Sequence, residues 1–243
     1  MDFINEIYCI TIDKNIKRRE HFKSNIPSNI PYKFLIVEKH VKGGVYGCFH
    51  SHLKIIKDVY QRGVENVLIF EDDAYPTSSF SNKNMEEAIK FLKTNEDWEC
   101  FYLGYTIGGL YNSNIFHLFS ERINNNIFKF NPLATHSYIL NRKGMKKILN
   151  TYKNFIGICH YDVYLGKYIN LKNYCFMPML FDQNYYLGNN IEPLNNIEYV
   201  LRKLYPLSNF IKIHYNSSLI TYYRSFIIII LLLLFYRYGR TRI

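Results

Sequence analysis

Acidic residues are scarce in this chain: 20 Asp and Glu stand against 30 Lys and Arg among 243 residues, for a formal net charge of +10. Such an imbalance invites a nucleic-acid or membrane partner. Its distribution argues against nucleic acid. From Ile197 onward seven basic residues are offset by Glu198 alone, so six of the ten net charges sit in that segment and the body keeps four. A body this mildly basic lacks the charged face that a phosphate backbone requires. Cysteine pairs are missing as well. Cys9, Cys48, Cys100, Cys159 and Cys175 form no C-x-x-C and lie in or beside apolar runs, which excludes a zinc frame or disulfide scaffold and predicts reduced, mostly buried thiols. The first residues lack a basic region followed by a long apolar one and enter a strand by Ile7, so no secretory signal and a cytoplasmic setting are expected. Beside one acidic triplet, a second clear acidic cluster for the two-metal site of a nuclease or phosphatase is lacking.

That one cluster organises the chain. Asn66 to Asp73 reads Asn-Val-Leu-Ile-Phe-Glu-Asp-Asp, a continuous apolar run that ends in three carboxylates. Val67 to Phe70 has the pattern of a strand covered on both faces, as in a parallel α/β sheet. Ligands of such sheets collect beyond the carboxyl ends of the strands, where Glu71, Asp72 and Asp73 would project. Hard oxygen donors there suit Mg²⁺ or Mn²⁺, and such an ion suits a diphosphate. A triplet alone carries little; its place after the strand gives it weight.

In chain order, Glu6 to Ile12 reads as the first strand, with Asp13 next, either a nucleoside-binding acid or the cap of the following helix. Arg18 and Arg19 on that charged helix are expected on a solvated face. Tyr32 to Val37 is a second strand, and Gly43, Gly44 and Gly47 mark a loop. Helical spacing starts at Phe49 and includes Leu53, Ile56 and Tyr60. Gly47 allows close approach of a ligand, and the open amides of the first turn, near Ser51 and His52, suit an anion. His50 and His52, two apart, point in different directions and make poor joint metal ligands. Asn84 is read as the cap of a further helix, and Phe101 to Leu103, Ile115 to Phe119, Ile127 to Phe130 and Thr135 to Leu140 as strands. A helix is expected from about Arg142. Asp162 opens another, as a hydroxyl-activating base or a plain first-turn stabiliser. Tyr174 to Met177 is the last strand. Residues 1–196 thus form one body and 197–243 a basic, apolar segment. Within the latter, Phe226 to Tyr236 would span about 16 Å as a helix, short of the roughly 30 Å hydrocarbon core. Association of residues 219–243 with a membrane surface is the reading preferred.

The motifs together resemble glycosyltransferase family 25. The segment "ITIDKNIKRREHF" is similar to that family's strand and arginine-pair helix, "GCFHSHLKII" to its G-C-x-x-S-H signature and "VLIFEDDA" to its E-D-D strand. Further on, "HSYILNRKGMKKIL" resembles its R-x-G helix, and "HYDVYL" its late Asp segment. The resemblance implies an α/β, GT-A-type nucleotide-sugar-binding domain over residues 1–196, with a central mixed, mostly parallel sheet and an apolar, basic helical tail behind it. It implies a metal-dependent, inverting transfer of a hexose, galactose or glucose, from a nucleoside diphosphate sugar, a UDP-sugar by preference, to a hydroxyl of a glycan, lipid-linked sugar or protein. Asp73, Glu71 and His160, with His136 as a substitute, are the expected ligands of Mn²⁺ or Mg²⁺. Asp13, Gly47, Ser51, His52 and Asp72 are the expected donor contacts, and Asp162 the base. The alternative is a catalytically silent nucleotide-sugar-binding module recruited to a membrane glycosylation complex.

Overall fold

The computed structural model describes residues 3–106, 120–184 and 187. The expected strand at Ile115 to Phe119 and the whole of 197–243 lie outside them. The first strand, β1 (Glu6–Ile12), is followed by α1 (Ile16–Asn25), β2 (Lys33–Val37), α2 (Gly44–Gln61) and β3 (Asn66–Glu71). Then come β4 (Ala74–Pro76), α3 (Asn82–Thr94), β5 (Cys100–Thr106), β6 (Glu121–Arg122), β7 (Ile127–Lys129) and β8 (Leu133–Asn141). The described part closes with α4 (Arg142–Thr151), the short α5 (Tyr161–Val163), β9 (Asn173–Phe176) and β10 (Phe181–Gln183).

Val67 to Phe70 of β3 are fully buried, and successive residues point into different cores. Val67 and Ile69 join the apolar cluster built from Phe49, Leu53 and Ile56 of α2 and Met145 and Ile148 of α4. Leu68 and Phe70 join Phe22 of α1 and Met85, Ala88 and Leu92 of α3. A continuous apolar strand is what a sheet clad on both faces demands, and each such side chain contributes about 1.5–3 kcal/mol relative to exposure. The main sheet has the order β2-β1-β3-β8-β5-β9-β7-β6. β1 pairs in parallel with β2 and β3, and β5 with β9, while β8 runs antiparallel to both β3 and β5. β7 pairs antiparallel with β9 and β6, so the sheet is mixed, as expected, and mostly parallel in that every strand but β8 and β7 runs in one direction. Because β8 is reversed, its first residues arrive at the same end as the last residues of β1 and β3. A second pair, β10 with β4, sets Gln183 opposite Ala74 beside the acidic triplet.

Local chemistry shifts several expected boundaries. α2 begins at Gly44, one turn before the apolar stripe, so Gly44 and Gly47 are helical rather than looped. Glycine's poor helix propensity matters least in a first turn. Gly43 precedes it at φ 90°, a left-handed conformation that a side chain would strain. Ser81, not Asn84, caps α3, accepting the Asn84 amide. Gly144, the glycine of the R-x-G segment, has a packing role: a Cβ there would lie 2.4 Å from the Glu99 carbonyl oxygen. Among the described residues no helix is long and apolar enough to cross a membrane.

Candidate active site

A cleft of about 290 Å³ opens beyond the ends of β1 and β3 and the start of β8. Thr11 and Glu71 reach it from the parallel strands, Thr135 and His136 from β8, and Asp162 from α5. On another wall stands the N-terminus of the 18-residue α2, whose Gly44, Val45 and Gly47 line the cleft. Among the described residues no side chain caps this helix, which leaves its first amides for an anion.

The acidic triplet is wired, not merely exposed. The guanidinium of Arg18, 6% exposed, donates from Nε to Asp72 Oδ1 at 2.6 Å and pairs through Nη2 with Asp73 Oδ2. Asp72 Oδ2 accepts the Thr11 hydroxyl at 2.6 Å, so both its oxygens are engaged. Asp73 Oδ2 also accepts Gln183 Nε2 at 2.7 Å, while its Oδ1 is buried without a hydrogen-bond partner. Burial pushes the Asp72 carboxyl up to about 6 against the pull of Arg18 and Thr11. Asp73 shifts upward as well, from burial and from Glu71, with Arg18 opposing. Burial also works on Glu71, but the facing His52 imidazole and the Thr135 hydroxyl, which donates at 2.8 Å, outweigh it and hold that carboxyl low. One guanidinium thus faces three carboxylates, and the surplus negative charge, with an unpartnered Asp73 oxygen, fits a divalent cation.

His52 is 1% exposed and stacks on Tyr161 with ring centroids 4.3 Å apart. The Tyr138 hydroxyl donates to Tyr161 Oη at 3.3 Å and shares a 2.8 Å hydrogen bond with His52 Nδ1. Nε2 is left without a hydrogen bond, facing Glu71 Oε1 at 3.5 Å. Asp162 is anchored by backbone: Oδ2 accepts the Ala134 amide at 2.9 Å and Oδ1 the Val163 amide at 2.8 Å. Ala134 holds φ 61° to make that contact, a left-handed conformation unusual for alanine. Each Asp162 oxygen keeps a lone pair.

Of the expected site residues, Glu71, Asp72, Asp73, Gly47, Ser51, His52, His160 and Asp162 all line the cleft. Asp13 does not. It is exposed after β1, and the cap position of α1 belongs to Asn15. Ser51 spends its hydroxyl on the Gly47 carbonyl at 2.7 Å. His160 is exposed at the head of α5, and among the described residues the donor atoms close enough to share an ion are those of Cys48, His52 and Glu71, without His160 or Asp73. Arg18 corrects the expectation of a solvated helix face: it lies four residues before the buried Phe22, hence on the face of α1 turned to the sheet. That spacing was the available signal. Gln183 and Thr135 had none, because strand pairing alone brings them to the triplet.

The sequence profile of Glycosyltransferase family 25 (LPS biosynthesis protein) matches residues 35–165, more than half of the chain. Procollagen galactosyltransferase 2 of Mus musculus is 38% identical over 61 residues, which are 25% of this chain and 10% of that protein. Inactive glycosyltransferase 25 family member 3 of Homo sapiens is 37% identical over 62 residues, again 25% of this chain and 10% of that protein. The matched segment therefore spans about a tenth of these relatives' length. A solved glycosyltransferase involved in the glycosylation of the major capsid of PBCV-1 is 12% identical, with a TM-score of 0.44 over 73% of this chain and 93% of that one.

Proposed function

The chain belongs to glycosyltransferase family 25, and from that premise we propose that its cleft transfers a hexose, galactose or glucose, from a UDP-type sugar to an acceptor hydroxyl with inversion. The observation that carries this reading is the meeting, in one cleft, of a charge-surplus acidic triplet, an uncapped helix N-terminus and a separately anchored carboxylate. The α2 amides would receive the diphosphate, the helix dipole favouring the negative charge that grows as the nucleoside diphosphate departs. The free Asp73 oxygen would hold a divalent cation, Mn²⁺ or Mg²⁺, which when bound supplies further neutralisation of the diphosphate. Asp72, locked by Arg18 and Thr11, keeps the triplet in register. Asp162 would take the proton of the acceptor hydroxyl, and its backbone anchors fix the carboxylate while leaving one lone pair on each oxygen.

Asp162→Asn tests the assignment. The expected outcome is unchanged donor binding with transfer reduced about 10²–10⁴-fold, the range for loss of a general base. Full transfer by this variant would move the base elsewhere. A catalytically silent donor-binding module is the second reading, suggested by the relative whose name declares it inactive. It predicts donor binding with no turnover by the unaltered chain for any hydroxyl acceptor.

A further inference from the structure

Cys48 and His52 lie one helical turn apart on α2, so they share a face, and that face meets the end of β3 at Glu71. Cys48 Sγ, a ring nitrogen of His52 and a Glu71 carboxylate oxygen all lie within 4.8 Å of one another, and all three residues line the cleft. Three features make this more than proximity. His52 is almost wholly buried, yet Nε2 makes no hydrogen bond. Its other nitrogen lies 2.8 Å from the Tyr138 hydroxyl, a contact that holds the ring with Nε2 turned toward Glu71. Nε2 and Glu71 Oε1 face each other at 3.5 Å, placed to share a proton or a metal ion. A metal-ligating histidine oriented through its second nitrogen by a buried hydrogen-bond partner is how such ligands are held in general.

We propose that Cys48 Sγ, His52 Nε2 and Glu71 form a sulfur–nitrogen–oxygen site for a borderline transition-metal ion of the Zn²⁺ or Co²⁺ type. The thiolate and imidazole favour such an ion over Mg²⁺ or Ca²⁺, which take oxygen shells. Three protein ligands leave one tetrahedral position open, and here it opens to the cleft, as in catalytic rather than structural sites. The ion's service to a departing diphosphate rests on the functional reading above, whereas its binding to the triad stands on the triad's own geometry.

The test is a Co²⁺ titration of the chelator-treated full chain, read by absorption. The expected result is a near-ultraviolet thiolate-to-cobalt charge-transfer band that saturates at one ion per chain. Cys48→Ser, nearly isosteric and checked by circular dichroism, should lose the band, while Cys159→Ser should keep it. His52→Gln should weaken Co²⁺ binding at least about tenfold, the loss expected even for an outer-shell partner. No band in the unaltered chain, or a band that survives in Cys48→Ser, overturns the site. Binding of UDP-hexoses with Mg²⁺ is measured alongside. Donor binding without the band sinks this inference and spares the functional reading; the band without donor binding does the reverse.

Discussion

At each end of β1 an arginine sits between two carboxylates, and the two clusters behave in opposite ways. Near Glu6, where the strand begins, Arg62 pairs with Glu6 and with Asp58, one turn back on α2, its side chain 42% exposed. Near Thr11, where the strand ends, Arg18 pairs with Asp72 and Asp73, its side chain 8% exposed. Hydrogen bonds from Arg62 pull the Glu6 carboxyl down to about 2, although partial burial opposes them. Burial instead pushes Asp72 up to about 6 despite an equally direct guanidinium contact. The same side-chain chemistry holds a carboxyl ionised where water reaches it, whereas burial at the other end raises the carboxyls against their arginine and leaves their charge short of compensation. The Arg62 brace ties the end of α2 to the start of β1. The other end is where the proposed cation and donor would sit.

Substitution at the buried arginine should give the largest effect. Arg18→Met leaves Asp72 and Asp73 buried without their cation, and a cost of about 3–5 kcal/mol is expected from breaking a buried ion pair. Urea denaturation measures it, and a loss no greater than that of Arg62→Met would erase the contrast. Addition of Mn²⁺ should come next. At a hundredfold excess over its dissociation constant, an ion that binds only the folded chain adds about 2.7 kcal/mol. Thermal unfolding should show that gain in the unaltered chain and much less of it in Asp73→Asn. The smallest effect belongs to the exposed end. A depressed carboxyl binds fewer protons folded than unfolded, so its contribution is present above about 4.5 and is lost as pH falls toward about 2. Glu6→Gln should therefore flatten the acid limb of stability in that window and leave neutral-pH donor binding untouched; an unchanged acid limb would deny Glu6 its role.

The sheet was legible wherever periodicity was strong. β1 spans the expected residues, and the apolar run of β3 announced both its burial and its site. Asp162 and the acidic triplet line the cleft, a position legible because a carboxylate after a strand or in a first helical turn is a local signal. Arg18 was misread because a run of charges on α1 hides the one position that shares a face with Phe22. Cys48 and His52 are four residues apart, yet the expected helix start at Phe49 cut the pair in two, and the structure restores it by extending α2 back to Gly44. Gln183 and Thr135 depend on pairing between distant strands, which no local pattern encodes.

The central claim is that the charge-surplus end of the sheet is a cation-dependent donor site. Calorimetric titration of the full chain with UDP-galactose and UDP-glucose, in Mn²⁺ and again in chelator, tests it most directly. The account predicts saturable binding of one sugar nucleotide that requires the cation, is lost in Asp73→Asn and is retained in Asp162→Asn. A folded chain that binds neither donor, or binds equally well in chelator, would contradict it.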